Sequence, residues 1–391
     1  MAPALKPAPF SRLARCAAAA WASIAAASCT LPPAGQAPGA AASEFAYVGT
    51  LDARIDAVRL DLDTGRLVAL GTVARGPRST WVEAHPALPV LYAVDDDRDR
   101  EGSVTAYAVN RASGAIAPLD TVQTGGRGTT FLRFDLPSLT LLGANYDSGS
   151  VSSLAVKRDG GIGPLVSTLA ETGAGPGPRQ KSAHAHGITL DPSGRYALVP
   201  DLGADRVFID CFDRATHRLS PCAAGAPPAF ATPPGSGPRR LVFGPDGRHA
   251  YLLTELGAQV MVLRWDAVRA TLTPIQTESI TTASFDGTKS GAEMALGRDG
   301  RFLYVENRAE DALLVYGVDA GSGRLTLLQR VASGGRKPWG FGIDAAGRWM
   351  LVANRLSGNL RLFRIDPATG LLADSGASVD VKDPTSVAFV R

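Results

Sequence analysis

Histidine is scarce in this chain. Two of its five histidines stand two residues apart in KSAHAHGITL, residues 181–190. The segment reads as the head of a β-strand, where residues two apart point to the same face. His184 and His186 are therefore presented together, as a metal clip, as a base with a helper, or as polar groups at a strand end. Histidine titrates near neutral pH, so it suits either proton transfer or metal ligation. A metal clip needs a third ligand, and no His, Cys or carboxylate phrase of ligand spacing stands beside the pair. The sequence also has no Gly-x-Ser-x-Gly nucleophile phrase and no glycine-rich phosphate loop leading into a helix. Neither a metal nor an organic cofactor is expected. What His186 does depends on the residues that the fold sets opposite it.

Those residues are found through internal repeats. An apolar phrase that often ends in Pro-x-Gly recurs as HGITLDPSG (186–194), RRLVFGPDG (239–247), EMALGRDG (293–300) and GFGIDAAG (340–347). A second phrase follows it directly: RYALVPD, RHAYLLT, RFLYVEN, RWMLVAN. A third runs into a turn and occurs seven times, from IDAVRLDLDTGRL to LRLFRIDPATGLL. The last residue of the second phrase gives a ruler: Gly49, Asp95, Asn145, Asp201, Thr254, Asn307, Asn354. Each copy alternates apolar and polar residues with period two and breaks at Gly, Asp or Pro. Three such phrases plus the tail after the turn make four short strands per unit. Seven units of about 50 residues predict an all-β fold, a seven-bladed β-propeller. The N-terminal unit lacks its first phrase, and PTSVAFVR (384–391) reads as the missing strand, closing the ring.

The ruler then selects residues. Near the start of the first strand the copies read Thr80, Thr130, His186, Arg239, Ala292 and Trp339. Just after the ruler they read Thr50, Asp96, Tyr146, Leu202, Glu255, Arg308 and Arg355. First and second strands are antiparallel neighbours, so these two sets share one face of the disc. His186, Arg239, Glu255 and Arg308 thus converge on one channel mouth, across blades four to six. A base, an acid and two fixed cations suit hydrolysis of an ester: a proton acceptor for water, and charge for a developing oxyanion. Either His186 or Glu255 serves as the acid–base group, with Arg239 and Arg308 as anion binders. His184 orients His186. Lys181, Glu293, Asn307 and Trp339 complete the expected substrate-binding set.

Over residues 45–391 the chain resembles the lactonase family of seven-bladed propellers. That family includes bacterial propeller-type 6-phosphogluconolactonase and the fungal-type carboxymuconate-lactonizing enzymes. The phrases that carry the resemblance are YVGT, LLGANYDSGSV, HAHGITLDPSGRYALVPDLGADRV, GSGPRRLVFGPDGRHAYLLTELGAQV and GAEMALGRDGRFLYVENR. The resemblance implies a His, Arg, Glu, Arg site, which falls on His186, Arg239, Glu255 and Arg308. It implies a metal-independent lactone hydrolase acting on a small-molecule lactone. One departure stands out: GRKPWGF has Trp339 where the family usually has arginine. Loss of that cation points to an unphosphorylated lactone. Two other readings use the same groups: a non-catalytic exported propeller that binds a ligand or protein, and an isomerase that closes a lactone.

The remaining chain bears on location. Basic Lys6, Arg12 and Arg15 precede an alanine-rich run and a Pro/Gly-rich stretch, so residues 1–42 read as a secretory leader and linker before a propeller at 43–391. AAASC, ending at Cys29, resembles a lipoprotein box and makes Cys29 the one expected lipid anchor. A periplasmic or exported protein is expected. Cys211 and Cys222 flank a hairpin tip and are expected to pair there. A formal net charge of +3 from 40 basic and 37 acidic residues, with no basic run, gives no nucleic-acid footprint.

Overall fold

The computed structural model describes residues 43–76, 78–222 and 229–390; the leader and Cys29 lie outside them. Among the described residues there is no helix, and the strands form seven antiparallel sheets arranged as a seven-bladed β-propeller. Blade 1 runs Pro384–Val390, Ser43–Thr50, Arg54–Asp61, Leu67–Arg75 from channel to rim, so the C-terminal strand closes the ring. Blades 2 and 3 begin at Val82–Ala84 and Thr129–Asp135. Blades 5, 6 and 7 begin at Pro238–Phe243, Gly291–Leu296 and Pro338–Ile343. Blade 4 is irregular. Its inner strand is reduced to Thr189–Leu190, and its outer edge is split between Arg218–Ser220 and Ala229–Ala231, both paired with Arg206–Asp213. Cys211 and Cys222 are joined by a disulfide across this hairpin.

Second strands are buried along most or all of their length, as in HAYLLT (249–254), because both faces pack against neighbouring blades. Outer strands such as Leu372–Asp380 are mostly exposed. The apolar layers lie between blades. Tyr251 and Val262 of blade 5 pack on Leu303 and Tyr316 of blade 6. Val48 and Leu60 of blade 1 pack on Leu351 and Leu362 of blade 7. A repeated tie fixes the spacing. Tyr47, Tyr92, Tyr251 and Tyr304 each donate their hydroxyl to a carbonyl in the outer turn of the next blade, at Gly114, Gly160, Gly323 and Gly370 (2.8–3.1 Å). Gly323 adopts φ of 69° in that turn, and a Cβ there would strike the His249 ring, so the turn needs glycine.

The structure shifts the ruler by one residue in blade 1. Thr50 pairs with Pro384 as Thr254 pairs with Pro238, so Thr50 is the ruler residue and Leu51 follows it. The mismatch arose because the partner strand of blade 1 comes from the other end of the chain.

Asp210, on the third strand of blade 4, faces Glu171 of the preceding connection. Burial and the neighbouring carboxyls of Asp210 and Asp201 push Glu171 up to about 9, and burial pushes Asp210 up to about 6. Unfolded glutamate ionises near about pH 4.3. The folded state therefore holds protons that the unfolded state has released, and stability falls as pH rises between those limits. Thermal denaturation at about pH 5 and about pH 9 should show this decline, and Glu171→Gln should flatten it. An unchanged slope in that variant would assign the decline to other groups.

Candidate active site at the channel mouth

A recurring irregularity aims the site residues. Pairing of the inner with the second strand slips by one residue between Thr129 and Phe131, between Pro238 and Arg240, and between Pro338 and Gly340. The residues left over are Thr130, Arg239 and Trp339. In blade 4, Ala185 bridges Asp201 whereas Thr189 pairs with Leu198, and the His186 N–H donates to Pro200 O at 3.0 Å. In blade 6 the slip falls between Gly291 and Met294. A β-bulge adds a residue to one strand and redirects its side chain. Here it turns Thr130, Arg239 and Trp339 toward the mouth, while Phe131 and Arg240 return to the channel. Arg239 accordingly lines the mouth, and Arg240 points down the channel.

The mouth is a cavity of about 400 Å³. Glu255 sits at its floor, 2% exposed. Its Oε1 accepts from Arg179 Nη1 at 2.5 Å and faces Arg308 Nη2 at 3.0 Å. Its Oε2 accepts from Arg239 Nη1 at 2.8 Å and faces His186 Nε2 at 3.6 Å. Burial alone would raise this carboxyl, but the Arg308 and Arg239 guanidiniums outweigh it and hold Glu255 well below the ordinary range. Burial, reinforced by Arg239, pushes His186 well below its ordinary value, so its imidazole is neutral. Arg308 is lowered to about 10 by burial and by Arg239 and Arg179 nearby.

His184, Glu293, Asn307, Lys181 and Trp339 are placed differently from one another. His184 lies behind the site, with its ring stacked on Tyr146 at 4.5 Å and Nδ1 against Tyr146 O. Tyr146 in turn sets its ring edge-on to His186 at 5.2 Å. Glu293 is in the channel, ion-paired with Arg240 at 2.9 Å, and does not line the mouth. Asn307 is fully buried and donates to Ile280 O and Glu310, away from the cavity. Lys181 is exposed on the connecting loop, and Arg179, two residues earlier, reaches Glu255 instead. The sequence reading missed Arg179 because loop residues carry no strand register.

Trp339 does line the mouth, but its ring is not a bare apolar platform. Arg308 lies 4.3 Å and Arg355 5.0 Å from the ring centroid. The corner that lost an arginine thus holds two, stacked on the indole. Around the cavity stand Arg78, Arg98, Arg179, Arg239, Arg308, Lys337 and Arg355, against the carboxylates Asp96 and Glu255. Asp96 is raised to about 6 by burial, despite Arg78 and Arg98 beside it. Cations thus outnumber carboxylates around the mouth, although Trp339 itself carries no charge.

The sequence profile of the seven-bladed β-propeller lactonases matches residues 45–389. The 6-phosphogluconolactonase of Bacillus subtilis is 30% identical over 349 residues, spanning 88% of this chain and 98% of its own. That of Formosa agariphila is 28% identical over 303 residues, 75% of this chain and 83% of its own. Among solved structures, the periplasmic gluconolactonase of Pseudomonas aeruginosa superposes with a TM-score of 0.82 at 33% identity, covering 90% of this chain and 99% of that one.

Proposed function

Because the chain belongs to the seven-bladed β-propeller lactonases, and is a lactonase, we propose that it opens a sugar δ-lactone with water at this mouth. The observation that carries the reading is Glu255, buried and held by three guanidiniums next to a neutral histidine. The His186–Glu255 pair takes a proton from water as its oxygen adds to the lactone carbonyl. Charge gathers on the former carbonyl oxygen, facing Arg308 and Arg239. The tetrahedral intermediate collapses, the bond from C1 to the ring oxygen breaks, and the proton passes to that oxygen. The product hydroxy acid then ionises and leaves as an aldonate. Side chains do this work without a metal: both oxygens of the one carboxylate at the floor are already engaged by arginine. The leader read over residues 1–42 carries the protein out of the cytoplasm, with Cys29 as a lipid anchor, in keeping with the periplasmic setting named for the Pseudomonas relative.

The groups around the ester are complete without a phosphate, whereas Arg78, Lys337 and Arg355, which line the same cavity, are only half-buried and do not contact Glu255. Remote cations bind ground and transition states alike, so they lower KM and leave kcat alone. Gluconolactone and its 6-phosphate should therefore share kcat within about threefold, with the lower KM for the phosphate. Lys337→Met should raise KM for the phosphate only. The check is a pH-stat assay of both compounds, corrected for spontaneous hydrolysis. Failure to turn over plain gluconolactone would overturn this assignment.

A further inference from the structure

A second, open groove of about 820 Å³ adjoins the mouth, and Arg179, Ser290, Arg308 and Lys337 are its shared wall. It lies on the same face of the disc, over blades 5 to 7. The repeat shows that this groove belongs to one arc of that face. Two residues after the ruler, counted from Thr50 in blade 1, a turn follows each second strand. Blades 1, 2 and 3 carry Asp52, Asp97 and Asp147 there. Blades 5, 6 and 7 carry Leu256, Ala309 and Leu356, and all three line the groove. Leu356 is 54% exposed. Blade packing does not demand an apolar residue at this turn, since three blades have aspartate.

Charge divides along the same line. Over blades 1 to 3 the turn carboxylates meet cations: Arg54 on Asp52 at 3.2 Å, Arg100 on Asp97 at 2.6 Å, Arg98 on Asp147 at 3.6 Å. Over blades 5 to 7, Lys289, Arg336 and Lys337 line the groove, and their side chains have no hydrogen bond or ion pair among the described residues. Asp311 is the one carboxylate among the described lining residues, and it accepts the Lys337 N–H. A hydrocarbon chain would cover the leucines and leave these cations without a partner. A sugar ring has a CH face for the leucines, and an acid group on it supplies the missing acceptor. We infer that the groove is a substrate subsite, and that the lactone opened at the mouth carries a second, acidic sugar unit. The ring of that uronosyl unit lies on Leu256 and Leu356, and its carboxylate meets the groove's cations. This deepens the lactonase reading and rests on it. Lys289 and Arg336 are remote from the ester, so they set specificity through KM.

Gluconolactone is to be compared with its 4-O- and 6-O-linked glucosyl and glucuronosyl derivatives in the pH-stat, corrected for spontaneous hydrolysis. In at least one linkage the glucuronosyl lactone should show kcat/KM about tenfold or more above both gluconolactone and the glucosyl counterpart, with the gain in KM. Lys289→Met combined with Arg336→Met, both exposed positions, should erase that gain and leave gluconolactone turnover unchanged. Leu356→Asp should raise KM for the glucuronosyl lactone only. No advantage for either glucuronosyl lactone overturns the inference. So does an equal advantage for the glucosyl compounds, or a gain that survives the double variant. Faster opening of N-decanoyl homoserine lactone than of any sugar lactone gives the groove to an acyl chain and overturns it as well. Calorimetry with the open-chain glucuronosyl-gluconate, the product acid, separates the groove from the chemistry. If no lactone is turned over, yet this acid binds and the double variant weakens it about tenfold, the function falls and the subsite stands. If the acid does not bind either, both fall.

Discussion

Replacing Glu255 with glutamine should lower kcat for lactone hydrolysis by at least about a hundredfold, the range for a lost acid–base group. Glutamine matches the shape of glutamate but cannot take a proton from water. It also removes the negative charge on which three guanidiniums converge: Arg179 and Arg308 at Oε1, Arg239 at Oε2. Arg239 and Arg308 are themselves 3% and 7% exposed, so water cannot replace the lost partner. Removing one member of a buried charge network leaves the others uncompensated and costs about 3 kcal/mol or more. The variant should therefore be both inactive and less stable, and urea denaturation beside the pH-stat assay reads the two effects separately. Glu255→Asp, which keeps the charge but draws back from the arginines, should recover more stability than turnover. Full turnover in the glutamine variant would remove Glu255 from the chemistry.

How far the sequence anticipated this site depends on strand register. Period-two alternation and the spacing of the ruler residues were enough to predict four-stranded blades, seven of them, and closure by the C-terminal strand, all of which the structure has. The same spacing put His186, Arg239, Glu255 and Arg308 on one face, and the structure brings these four side chains together. Three features lay beyond that reasoning. The bulges were invisible, because inserting one residue leaves the apolar pattern intact while swapping which neighbour faces the mouth. Arg239 and Arg240 look interchangeable in GPRRLVF, yet one reaches Glu255 and the other Glu293. Arg179 belongs to a loop with no repeat partner, and only its proximity to HAH hinted at it. The lost arginine at Trp339 was legible, but not the stacking of Arg308 and Arg355 on its indole, because those residues follow the second strands of two different blades.

The same stacking bears on the second large effect. Arg308 is fixed at three points. Its Nε donates to Ser290 Oγ at 2.9 Å, its Nη2 pairs with Glu255, and its plane lies on Trp339. Its Nη1, by contrast, is buried without a hydrogen-bond partner among the described residues, at the wall of the cavity. A buried unsatisfied N–H is uncommon and costly, and at an active site it marks a donor kept for the substrate. A preorganised donor aimed where charge develops costs no reorganisation during reaction. Arg308→Met should therefore lower kcat by about 10² to 10³, or about 2.7–4 kcal/mol of transition-state stabilisation, with KM little changed. Arg308→Lys keeps the charge but loses the fork and the stacked plane, so it should restore less than about a tenth of the activity. Steady-state kinetics on gluconolactone with both variants decide the matter. A rise in KM at constant kcat would make Arg308 a substrate clamp, leaving the oxyanion to Arg239.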